Sequence, residues 1–172
     1  IDLIQRILPE IQKSNLKVIT NAGGVNPKAC RKELLHISEN KIKIGVIQGD
    51  DIFPRLQSLW NNGISFANMD TDESFDKIAD RVYSANVYIN SFTISKALEK
   101  GAQIVLAGRV SDPGLALGPC AYEFGWKNDE YGKIAAGTLA GHITECGAQC
   151  TGGNFTNWQD VPDMANIGYP II

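Results

Sequence analysis

Residues 104–126 read IVLAGRVSDPGLALGPCAYEFGW, and the fold turns on how they are parsed. Positions 102–107, apolar but for Gln103, form a run of strand length, of the kind buried on both faces rather than alternating with polar residues. Gly108-Arg109-Val110-Ser111-Asp112-Pro113 then breaks the run, and proline at the head of the next segment is preset for a helix. A buried strand, a polar exit loop and a helix make up half of a parallel crossover unit.

The same grammar recurs on the N-terminal side. Residues 17–20 are a short β-branched run that ends in Asn21-Ala22-Gly23-Gly24, and Asn26-Pro27 opens a helix to about position 40. Residues 41–48, with IKIGVI at their centre, are a second buried strand, closed by Gly49-Asp50-Asp51 and followed by a helix to about position 62. Residues 64–69 form a weaker strand candidate. Asp70-Thr71-Asp72-Glu73 places acid in the first turn of another helix, where the helix dipole favours it. Residues 91–100 are helical and stopped by Gly101. Alternation at this spacing predicts an α/β fold with a mainly parallel sheet and flanking helices, Rossmann-like and three-layered, in a single domain over 1–172. The chain opens without Met inside a helical pattern (Leu3, Ile4, Ile7, Leu8, Ile11) and stops at IGYPII where a strand should begin, so both ends read as cut.

Composition narrows the function classes. A chain of 172 residues that is 44% apolar and 20% charged is an ordinary globular sequence, not a disordered one. The net charge is −3 with no concentrated basic footprint, which excludes nucleic acid as the expected partner. No apolar run approaches the roughly 20 residues of a spanning helix, so no membrane partner is expected. Cys30, Cys120, Cys146 and Cys150 are irregularly spaced, which reads as a reduced cytoplasmic chain rather than a disulfide framework.

In a parallel sheet every strand-to-helix loop leaves at the carboxyl edge, where ligands of such folds sit. Three loops therefore share one edge: 21–26, 48–51 and 108–112. Gly23 and Gly24 before a helix start could cradle an anion, although a tight turn is the readier account, and they match no dinucleotide or phosphate-loop pattern. Asn26 and Asp112 each precede a proline at a helix start, so capping explains them with no function required. Asp50 is the freer of an acidic pair, suited to a ligand hydroxyl or a cation, while Asp51 also reads as a cap. Arg109 is a guanidinium directly after a buried strand. It must meet a carboxylate, a phosphate or a structural acid, and Asp112 is the local candidate.

Residues 131–147 form a second long helix that ends in a glycine-rich loop, AAGTLAGHITECGAQCTGGNF over 135–155. Ala135, Leu139, His142 and Cys146 recur along one stripe. His142 and Glu145 are three apart, a spacing that suits an acid–base pair, although packing explains a histidine on an apolar helix too. No fourth ligand joins His142, Cys146 and Cys150, so no metal is expected. Gly147, Gly152 and Gly153 would let a ligand approach the backbone of the loop.

Taken together, TNAGGVNP, QGDD, RVYSANVYI, GRVSDPGLALGP, YEFGW, AAGTLAGHITECGAQCTGGNF and DVPDMANIGYPI run in the order found in the acyclic terpene utilisation (AtuA-type) family, and the chain resembles that family across nearly its whole length. The resemblance implies a place in acyclic terpenoid and branched acyl-CoA breakdown without assigning a reaction. It also implies a longer chain with a glycine-containing strand before the part seen here. Cys150 departs from the family, which commonly has a small or hydrophobic residue there. The expected site has His142 and Glu145 as the acid–base pair. Asn21, Gly23, Gly24, Asn26, Asp50, Arg109 and Asp112 would bind a small anionic substrate such as an acyl-CoA. No cofactor is specified. Tyr122, Phe124 and Trp126, clustered at a helix end, suit either core packing or a homo-oligomer contact. The alternative function is a non-catalytic ligand-binding or assembly subunit of the same pathway.

Overall fold

A computed structural model of the chain describes residues 1–22 and 26–172. Its centre is a three-stranded parallel sheet in the order β1 (Val18–Thr20), β3 (Ile104–Ala107), β2 (Ile44–Ile47). Val18 is level with Ile104 on one side and Ile44 with Ile104 on the other, so all three strands end at one height.

The middle strand shows why its sequence had to be apolar throughout. All four residues of β3 are buried, and Val105 is fully inaccessible. Side chains alternate across a strand. Ile104 and Leu106 therefore join a core with Ile4 and Ile11 of α1 (Asp2–Ser14) and Leu34 of α2 (Pro27–Ile37). Val105 and Ala107 join another with Ile94 and Leu98 of α4 (Phe92–Glu99). The chain steps from β1 over β3 to β2, then back to β3. That reversal sends α2 and α4 to opposite faces if both crossovers have the usual hand.

Local signals set the helix ends. Asn26 Oδ1 accepts the Ala29 N–H at 3.0 Å and caps α2. Gly101, at φ +82°, ends α4: its N–H reaches the Leu98 carbonyl while Ala102 N–H reaches Ala97, a paired closure that needs a left-handed residue. α5 (Gly114–Glu123) follows β3, and α6 (Tyr131–Cys146) packs on it.

The stretch 51–90 departs from expectation. The helix after Asp51 is a short 3-10 turn, Phe53–Arg55, and then α3 (Leu56–Asn61). No strand forms at 64–69, and the helix expected to open at Asp70–Glu73 is replaced by a turn and two 3-10 turns, Phe75–Lys77 and Ala79–Arg81. The Asn68 side chain is the cause at one end: its Oδ1 accepts the N–H groups of Asp70 and Thr71 at 2.9 and 3.0 Å and folds the backbone into a turn. The aromatic residues are the cause at the other. Phe75 is buried between Trp60 and Phe66, with ring centroids 5.2 and 5.4 Å away, so Phe66 belongs to a satellite cluster and not to the sheet.

Among the described residues no helix is long and apolar enough to cross a membrane.

Candidate functional site at the carboxyl edge of the sheet

β1, β2 and β3 point the same way, so Asn21, Asp50 and Arg109 all leave the sheet at the same end. Gly23 and Gly24 lie outside the described residues. Asn21 is exposed, and Asn26 is exposed with its side-chain oxygen engaged in the α2 cap.

Asp50 ties the edge together. Its Oδ2 accepts the Arg109 N–H at 2.9 Å and the Asn86 side-chain amide at 3.2 Å, while its backbone carbonyl accepts the Val87 N–H at 2.9 Å. Ile52 N–H reaches the Ala85 carbonyl and Ile89 N–H reaches that of Arg109, so the 85–89 segment is a strap across the exits of β2 and β3. The Asp50 carboxylate lies directly over the Cα of Gly108, in space that any side chain at 108 would fill. Carboxylates accepting N–H groups in this way form the stronger class of hydrogen bond. Asn86 had no signal in its immediate sequence, because its partner is 36 positions away.

Beside this clamp is a cleft of about 430 Å³, lined among others by Pro27, Gly49, Asp50, Asp51, Tyr83 and Asn86. Asp51 Oδ1 accepts the Phe53 N–H at 3.0 Å and so starts the adjoining turn. The lining carries two carboxylates and no cation, so the cleft favours hydroxyl or other donor groups. Arg109 stands outside the lining, on the loop that Asp50 fixes. Its side chain is exposed and has no hydrogen-bond or ion-pair partner among the described residues. Asp112 forms no ion pair with it and caps nothing with its side chain: α5 begins without a side-chain cap.

α6 is a separate group. Gly137 faces Trp126 and Leu117, and Gly141 faces the backbone of Pro113, so the glycine side of the helix is the buried one. The stripe Ala135, Leu139, His142 faces outward: Leu139 is 62% exposed, and His142 and Glu145 are exposed. Gly141 rests on Pro113 at the start of α5. His142 and Glu145 make no hydrogen bond to each other. Glu145 Oε2 instead accepts from the Cys146 thiol at 3.5 Å. That bond, with desolvation and the neighbouring Cys150, pushes the Cys146 thiol above its ordinary range. The glycine-rich loop is closed by its own contacts. Gly153 N–H reaches the Ala148 carbonyl, the Tyr169 ring lies on Gly147, and Thr151 donates to the Gly168 carbonyl at 2.9 Å. Among the described residues no group of three or more His, Cys, Asp or Glu could hold a metal ion. Of the aromatic trio, Tyr122 is packed against the core, while Phe124 is exposed and stacked on Trp126 at 5.6 Å.

Comparison with curated proteins and with solved structures brings no match. The family model described as "Acyclic terpene utilisation family protein AtuA" matches residues 1–172. The chain belongs to the acyclic terpene utilisation family AtuA, which places it in the use of acyclic terpenes.

Proposed function

We propose that this chain forms the ligand-binding edge of an enzyme of acyclic terpenoid and branched acyl-CoA breakdown, on a Rossmann-like three-layer sheet. The substrate presents an acid or phosphate group to Arg109 and hydroxyl or amide groups to the cleft at Asp50 and Asp51. The observation that carries this reading is the Asp50 clamp. It fixes the backbone of Arg109 at 2.9 Å while leaving the guanidinium unpaired among the described residues. A charge held in place by its backbone and left without a protein partner suits a bidentate anion. Asn21 and Asn26 border the same edge, and Gly23 and Gly24 would offer backbone amides there. His142, with Glu145, would move the proton from the neighbouring α6.

The test uses the full-length protein and a panel of branched acyl-CoAs with their free acids, with binding followed by calorimetry. Arg109→Ala should weaken binding at least tenfold and Arg109→Lys by less, because lysine keeps the charge but loses the fork. Equal affinity in wild type and Arg109→Ala would remove the anion role.

A second reading has its own support. His142 and Glu145 are exposed and do not bond each other, as expected of a non-catalytic ligand-binding or assembly subunit. Retained binding with no turnover, unchanged by His142→Ala, would favour it.

A further inference from the structure

All four cysteines are free, and two of them share one turn. Cys30 and Cys120 are half-buried within α2 and α5. Cys146 is the last residue of α6 and half-buried, while Cys150, four positions on, is exposed. The backbone between them doubles back: Gly147 N–H reaches the Ile143 carbonyl, and Cys150 N–H reaches the Gly147 carbonyl at 3.0 Å. That turn sets the Cys150 thiol beside the Cys146 thiol, close enough to act on it. A disulfide needs its Cα atoms within about 7 Å, little more than one helical turn. Gly147, at φ +56°, leaves the joint between the two cysteines free to adjust.

The two thiols are unequal. Cys146 donates to Glu145 Oε2 at 3.5 Å, and the carboxylate favours its S–H form over the thiolate. Cys150 is the exposed one, so an oxidant in solution meets it first. Glu145 is engaged with Cys146 and not with His142, although residues three apart are neighbours on a helix surface.

We propose that Cys146 and Cys150 are a modification site at which a peroxide closes a disulfide, taking the S–H away from Glu145 and releasing that carboxylate to His142. The Cys150 thiolate attacks one oxygen of hydrogen peroxide. An S–O bond forms, the O–O bond breaks, and the expelled hydroxide becomes water with the proton that Cys150 gave to solvent. Cys150 is now a sulfenic acid. The Cys146 sulfur then attacks the Cys150 sulfur. The S–S bond forms as the S–O bond breaks, and the departing hydroxide takes the Cys146 proton and leaves as water. The two sulfurs have lost two electrons, and one peroxide has become two waters. The disulfide stands apart from the chain's function, whereas its bearing on proton transfer rests on the acid–base reading of His142 and Glu145 above.

The test treats full-length protein with hydrogen peroxide, unfolds it in urea with iodoacetamide to block the remaining thiols, and reads the digest by mass spectrometry. The peptide holding both cysteines should be two hydrogens lighter and unblocked at both, and dithiothreitol should restore it. Cys146→Ser should stop the reaction at the sulfenic acid of Cys150, trapped by dimedone. Cys150→Ser should give at least tenfold less dimedone adduct, because Cys146 is held as a thiol. Circular dichroism checks that both variants keep their fold. The imidazole resonances of His142 should move on oxidation of the wild type and by less than half as much in Glu145→Gln. Both thiols still blocked, Cys150 joined to another cysteine or another molecule, dimedone on Cys146 in place of Cys150, or equal movement of His142 in Glu145→Gln would each overturn the proposal. An Arg109→Ala variant that binds as well as wild type would sink the anion role and leave every one of these outcomes as expected.

Discussion

Two residues show how much of this protein rests on single contacts. Gly108 has no side chain because the Asp50 carboxylate occupies that space. Gly108→Ala should break the Asp50 bonds to Arg109 and Asn86 and cost about 0.5–1.5 kcal/mol, the net worth of a typical hydrogen bond, since these bonds lie at the surface. Urea unfolding measures the loss, and Asp50→Ala should add little in the Gly108→Ala background, because both changes remove one clamp. Additive losses would show that the clamp is not the shared cause. Cys146 makes the second case. Glu145 accepts its S–H, so the thiol form is favoured and the thiolate appears only above the usual pH range. Alkylation of Cys146 by iodoacetamide should therefore be slow at pH 8. Glu145→Gln should shift the pH–rate midpoint downward and speed the reaction, and an unmoved midpoint would count against the bond.

At the scale of elements, α6 behaves as a helix chosen by its glycines. Its buried positions include Gly137 and Gly141, and a Cβ on Gly141 would come within 2.5 Å of the Pro113 carbonyl oxygen. Backbone cannot move aside as a side chain can, so Gly141→Ala should destabilise by about 1–3 kcal/mol despite the better helix propensity of alanine. Gly132 has nothing within 4 Å of an added Cβ, and Gly132→Ala should stabilise by about 0.5–1 kcal/mol. Opposite signs in urea midpoints are the expected outcome, and equal signs would mean that α6 is not seated on Pro113. The stripe Ala135, Leu139, His142 was legible in sequence, but its direction was not. Apolar side chains marked a face, yet closest approach between helices went to the residues without side chains.

Across the molecule, legibility tracks the range of the interaction. The strands at 18–20, 44–47 and 104–107, the cap at Asn26 and the stop at Gly101 depend on neighbours within a few positions, so the chain spelled them out. The gathering of Asn21, Asp50 and Arg109 at one end came from strand direction alone. Residues 64–81 failed as strand and helix because Phe75 packs between Trp60 and Phe66, and the turn at Asn68 uses the backbone groups that regular structure needs. The identity of the strands and most of the helices, and the meeting of their exits at a common edge, were thus readable from residue order, since burial on both faces and turn chemistry are written locally. The order β1-β3-β2, the strap that joins Asn86 to Asp50 and the side of α6 that is buried were not. Each of these is a choice among contacts between distant positions, made by packing and hydrogen bonding once the chain has closed on itself.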